Sequence, residues 1–212
     1  MDLIVFDLDG TLANTLPAMT ETANFACRRL GLPEHPAKAI REMSGGGERS
    51  LVEQLVGPHR QDLLEDCLKI YLDHYPQHTR QLTRLYPGVV ETLEHIRGKR
   101  LAVLSNKLQR LTQHVLEAVD IDRFFTSVQG GCSGYPLKPA PDGLLALINS
   151  HGVDPSRTLM VGDKPSDIIT GRGAGAWTAA GTYGYGDTDS LRAASPDFFL
   201  QRVSELPDIL TR

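Results

Sequence analysis

The stretch Leu3-Ile4-Val5-Phe6-Asp7-Leu8-Asp9-Gly10-Thr11-Leu12 sets the fold. Its apolar, β-rich run over residues 3–8 ends in two acids and a Gly-Thr turn signal, so it reads as a buried parallel strand with Asp7 and Asp9 at its carboxyl end. Comparable runs recur at 100–104, 158–161 and 176–180, separated by helical patterns at 89–97, 108–119, 142–151 and 165–172. Strands alternating with helices predict an α/β protein whose parallel sheet is covered on both faces. The tail after Ser195 reads as one short strand and a helix.

Residues 16–82 break that rhythm. They hold no strand pattern, but helical patterning at 19–30, 37–43, 49–56 and 63–75, punctuated by Pro33, Pro36, Gly45-Gly46-Gly47 and Gly57-Pro58. Pro87-Gly88 marks the return to α/β. The expected division is an α/β core from 1–15 and 83–212, interrupted by a small all-helical domain at 16–82, with hinges near 14–16 and 82–86.

Composition excludes several classes. The 212 residues are 41% hydrophobic and 23% charged, ordinary for a globular protein able to bury a core. A net charge of −4 argues against a nucleic-acid partner. Cys27, Cys67 and Cys132 are odd in number and widely spaced, so neither a disulfide framework nor a zinc site is expected. The start has no basic region and its apolar run is too short for a signal peptide or membrane span. The expectation is a cytoplasmic protein with no membrane partner; its oligomeric state is not readable.

Ligands of open parallel sheets sit beyond the carboxyl ends of the strands. There the pattern collects Asp7 and Asp9, Ser105-Asn106-Lys107, and Gly162-Asp163 with Asp167, while Lys138 lies in a loop before a helix. Converging acids repel one another unless a cation joins them. A hard divalent ion with oxygen ligands, Mg2+ above all, resolves the conflict and points to a phosphate-bearing substrate. Taken singly, each motif has a plainer explanation: a strand-end turn for Asp7 and Asp9, a helix N-cap for Ser105-Asn106, a solvated charge for Lys138.

In order, however, Phe6 to Leu12, Ser105-Asn106, Lys138-Pro139 and Gly162-Asp163 with Asp167 resemble the four motifs of the haloacid dehalogenase superfamily, nearest its phosphoglycolate phosphatase group. The resemblance covers nearly the whole chain. It implies a Rossmann-like core with a C1-type helical cap, and Mg2+-dependent hydrolysis of a small phosphorylated metabolite, such as 2-phosphoglycolate, through an aspartyl-phosphate. By the same resemblance Asp7 is the nucleophile and Asp9 the acid and base. Asp7, the main-chain carbonyl of Asp9, and Asp163 hold the metal. Ser105, Asn106 and Lys138 hold the phosphoryl oxygens, and Asp167 orients Lys138 or metal-bound water. The Gly-rich cap loop Gly45, Gly46 and Gly47 contributes to specificity; Arg49 and Arg41 beside it are candidates to meet a substrate carboxylate, an exposed helical arginine being the commoner outcome.

Two departures stand out: Asn14-Thr15 replaces an acid-plus-hydroxyl pair, and Lys164, able to pair with Asp163 or Asp167, replaces a small serine. Asp9 disfavours a dehalogenase, and neither cap lysine, Lys38 or Lys69, is placed for a phosphonate hydrolase. A β-phosphoglucomutase-type mutase and a pyrophosphatase remain open alternatives. A phospho-aspartate regulatory switch is disfavoured by the helical insert. His35, His59, His74 and His78 are expected at the surface and Trp177 in the core.

Overall fold

The computed structural model describes residues 1–210. Its elements in chain order are β1 (Leu3–Phe6), β2 (Ala13–Asn14), α1 (Leu16–Arg29), α2 (Ala37–Met43), α3 (Gly47–Val56), α4 (Leu64–Leu82), β3 (Arg84–Leu85) and α5 (Val89–His95). There follow β4 (Arg100–Leu108), α6 (Gln109–Ala118), β5 (Ser127–Gly131), α7 (Asp142–His151) and β6 (Thr158–Gly162). The chain then forms α8 (Pro165–Gly173), β7 (Trp177–Gly181), α9 (Thr188–Ala193), β8 (Phe198–Leu200) and α10 (Leu206–Leu210).

Six strands make one sheet in the order β5-β4-β1-β6-β7-β8, every pairing parallel. β1 is central, with Phe6 in register with Val103 on one side and Val161 on the other. Its side chains alternate between the two faces: Ile4 and Phe6 join the larger core, Leu3 and Val5 the smaller one beneath α7. All four are fully buried, which is why this strand has no polar position before Asp7.

Helices α1 to α4 lie between β2 and β3, a two-stranded antiparallel ribbon pairing Asn14 with Arg84. Their buried residues, among them Ile40, Leu51, Val52 and Tyr71, are continuous with the core above the sheet. Among the described residues, no helix is long and apolar enough to cross a membrane.

Several boundaries differ from expectation. β4 runs on through Ser105, Asn106 and Lys107 to Leu108, with a register shift after Leu104. Helix α6 therefore starts at Gln109 behind Leu108, which offers no side-chain cap, so Ser105 and Asn106 do not cap it. Strand β5 had no sequence signal: Ser-Val-Gln-Gly-Gly is neither an apolar run nor an alternating one, and it forms the sheet's edge. Trp177 is 43% exposed, not core; it sits at the start of β7 and its indole N–H donates to the Ser156 carbonyl at 3.0 Å. His74 is buried, not superficial, because its ring stacks on Phe25 at 3.7 Å between centroids.

Candidate active site

Asp7 follows the last residue of β1, and its backbone N–H still donates to the Val161 carbonyl at 2.8 Å, so the carboxylate stands at the sheet's carboxyl edge. Gly10 then turns the chain with φ of 90°. A Cβ there would lie 2.2 Å from Oδ2 of Asp163, so only glycine lets the first loop approach this carboxylate.

Lys138 is the hub. Its ammonium donates to Oδ1 of Asp7 at 2.9 Å, Oδ1 of Asp167 at 2.6 Å and the Leu104 carbonyl at 2.9 Å, using all three protons. Burial opposes its charge, but the Asp167 and Asp7 carboxylates outweigh burial and hold its pKa above the usual lysine value. Asp167 thus orients Lys138, while its second oxygen accepts the Lys164 N–H at 2.9 Å and closes the first turn of α8. Asp163 is fully buried; Oδ1 accepts from the Thr11 hydroxyl at 3.1 Å and Oδ2 from the Tyr185 N–H at 2.6 Å.

Asp7, Asp163 and Asp167 each place an oxygen within 4.8 Å of the others. Burial, reinforced by the neighbouring carboxylates, pushes Asp7 up to about 6 against the pull of Lys138, and Asp163 up to about 7. Such a buried, all-oxygen, mutually repelling set fits a hard divalent cation. Both oxygens of Asp167 have partners, one of them the Lys138 ammonium, whereas the partners of Asp163 are neutral donors and Asp7 is bonded through Oδ1 to Lys138.

The Asp9 side chain turns away from this cluster. Oδ1 accepts from the Thr15 hydroxyl at 2.6 Å, and Oδ2 lies 3.1 Å from the Lys107 ammonium. Lys107 in turn lies 3.5 Å from Oε1 of Glu48 and 4.6 Å over the Tyr75 ring. Desolvation would lower its pKa, but Asp9 first, then Tyr75 and Glu48, hold it well above the ordinary value. Glu48 also accepts the Leu108 N–H at 2.8 Å, so a residue of α3 is tied to β4 twice. Neither Glu48 nor Lys107 was assigned a role from sequence, and Tyr185 was missed altogether. The Tyr185 hydroxyl accepts the Thr15 and Leu16 N–H groups at 2.7 and 2.9 Å and donates to Asn14 at 3.1 Å, which accounts for the Asn14-Thr15 departure.

Other expected residues divide. Ser105, Gly45 and Gly47 line the cavity with Asp7, Asp9 and Lys138. Asn106 lines it too, but both its amide protons are committed to the Gly45 and Lys138 carbonyls, at 2.8 and 2.9 Å. Its side chain is therefore a brace between loops and not a phosphoryl ligand. Gly46 precedes α3 beside Ser50. Arg49 does not reach the site: it is exposed and paired with Glu65 at 2.9 Å. Arg41 is spent on the Tyr185 carbonyl at 2.7 Å. Lys164 pairs with neither Asp163 nor Asp167 through its ammonium, which instead crosses to the Ser44 carbonyl at 2.6 Å and hydroxyl at 2.9 Å.

The family profile of haloacid dehalogenase-like hydrolases matches residues 4–180, the span that carries all four motifs. The chain belongs to that family. Among this hydrolase's relatives, a phosphoglycolate phosphatase of Vibrio parahaemolyticus is 35% identical over 217 residues, covering 98% of this chain and 95% of that one. A phosphoglycolate phosphatase of Aquifex aeolicus is 32% identical over 212 residues, covering 99% and 97%. A crystal structure from Haemophilus somnus, named a "predicted phosphoglycolate phosphatase", superposes with a TM-score of 0.92 at 30% identity, covering 99% and 98%.

Proposed function

We propose that this hydrolase is a Mg2+-dependent phosphomonoesterase that passes a phosphoryl group through Asp7. The arrangement of Asp7 against Lys138 and Asp163, with Asp9 held apart by Lys107 and Thr15, carries the reading. An ionised Asp7 oxygen attacks phosphorus while the ester P–O bond breaks, and the departing alkoxide takes a proton from Asp9. Water then attacks the acyl phosphate and gives a proton to the Asp9 carboxylate; inorganic phosphate leaves and Asp7 is restored. Lys138, whose hydrogen bond to Asp7 is released as that oxygen attacks, and Ser105 meet the phosphoryl oxygens, where charge spreads in the transition state. Mg2+, held by Asp7, the Asp9 carbonyl and Asp163, would offset charge on the transferring group.

Residues 16–82 act as a cap over the core of 1–15 and 83–212. The cavity beneath it is about 40 Å³. 2-Phosphoglycolate, the substrate named for the relatives, is the first candidate. Three unpaired cysteines, two of them buried, suit a cytoplasmic setting.

Phosphate release from 2-phosphoglycolate, pyrophosphate and hexose phosphates, with and without Mg2+, tests the proposal. The expected result is Mg2+-dependent turnover of 2-phosphoglycolate by wild type and a loss of at least about 10³-fold in Asp7→Asn. Undiminished turnover by that variant refutes the role of Asp7.

A further inference from the structure

Six buried side-chain atoms lack a hydrogen-bond partner among the described residues: on Thr22, His35, Tyr71, His74, Tyr75 and Thr83. Only one of these six residues, Tyr71, lines the cavity that holds Asp7 and Asp9. It lies on α4, fully buried, with its ring centroid 5.9 Å from that of Tyr75.

Burying a hydroxyl without a partner is costly, a penalty that a ligand acceptor in the adjoining cavity would remove. The Tyr75 hydroxyl is also unpartnered but does not line the cavity, and the charged groups nearby are committed. Lys107 is shared between Asp9 and Glu48, and Glu48 also holds the Leu108 N–H. Met19 and Leu51 supply apolar wall. Burial, against the opposing charge of Lys107, keeps the Tyr71 phenol protonated and so able to donate.

We propose that the Tyr71 hydroxyl is a specificity-determining donor to the leaving group, and that the substrate is a short phosphoester whose carbon chain carries a second oxygen function. This rests on the phosphatase reading above and deepens it. The carbon chain lies against Met19 and Leu51, and its far oxygen, whether carboxylate or hydroxyl, accepts from Tyr71. The same chemistry describes phosphoglycolate and glycerol phosphate, and excludes a plain alkyl phosphate as the preferred substrate.

The test compares kcat/KM for 2-phosphoglycolate, glycerol 1-phosphate and ethyl phosphate in wild type and Tyr71→Phe, all with Mg2+, together with the Tm of both proteins. Wild type is expected to prefer at least one oxygenated ester over ethyl phosphate, and Tyr71→Phe to lose about tenfold of that preference, as for one neutral hydrogen bond. Whichever oxygenated ester loses it identifies the function as carboxylate or hydroxyl. Because the hydroxyl has no partner within the fold, Tm should stay the same or rise. An unchanged preference in Tyr71→Phe, or a wild type without any preference, overturns the assignment. So does a Tm lowered by several degrees, which would mean that the hydroxyl serves the fold. Absence of Mg2+-dependent turnover of every ester by wild type instead removes the phosphatase reading, and this inference with it.

Discussion

Lys107 shows how one residue joins the reaction to the fold. It is buried between Asp9, which belongs to the first loop, and Glu48, which belongs to α3. Replacing it with methionine leaves the buried Glu48 and the half-buried Asp9 without their cation, a loss of about 3 kcal/mol. Lys107→Met should therefore unfold at much lower urea than wild type, and adding Glu48→Gln should recover part of the loss, since one of the two stranded charges disappears. Strictly additive effects in the urea midpoints would contradict this pairing. At this scale the motifs were legible and their partners were not. Asp7, Asp9, Lys138 and Asp163 are marked by short local patterns. Glu48 and Tyr185 reach the site from 59 and 22 residues away along the chain, through Lys107 and Asp163, and no local spacing announces that.

At the scale of elements, the central strands were readable because β1, β4 and β6 are apolar where they are buried. β5 was not, because an edge strand ending in two glycines has no hydrophobic period. The expected end of α4 at Tyr75 reflects the helix-breaking habit of Pro76; the helix instead continues to Leu82, since packing of its buried face, Tyr71, Tyr75 and Thr79, overrides local propensity. The same helix carries an acid-sensitive group. Burial, aided by His78, lowers the pKa of His74 below its usual 6.5, so the folded state binds fewer protons than the unfolded one. Its contribution to stability is complete above the unfolded value and is lost as pH falls through the folded value. His74→Phe, which preserves stacking on Phe25, should lose less stability than wild type between about pH 7 and pH 5. Parallel pH profiles of the unfolding free energy would exclude this role.

At the scale of the molecule, the helical unit is seated on the core by specific polar ties. Asn106 holds Gly45, Lys164 holds Ser44, and Glu48 holds Leu108, while only the ribbon of β2 and β3 connects the two parts covalently. Under the proposed function, closure of this unit would exclude water from the reacting phosphorus and complete the site, with the hinges returning the helices to register. Insertion of one glycine after Asn14 or after Leu82 should lower kcat on the best substrate by about tenfold or more while leaving the urea midpoint nearly unchanged. An unchanged kcat would exclude closure as part of turnover.

The central claim is that a gathered set of acids makes Asp7 a nucleophile toward phosphorus. The most direct measurement is to mix enzyme, Mg2+ and substrate, quench within a turnover, reduce with borohydride and map the product by peptide mass spectrometry. The account predicts conversion of Asp7 to homoserine, dependent on both substrate and Mg2+ and absent when either is withheld. Release of phosphate with Asp7 unmodified, or with the trapped group on another residue, would contradict it.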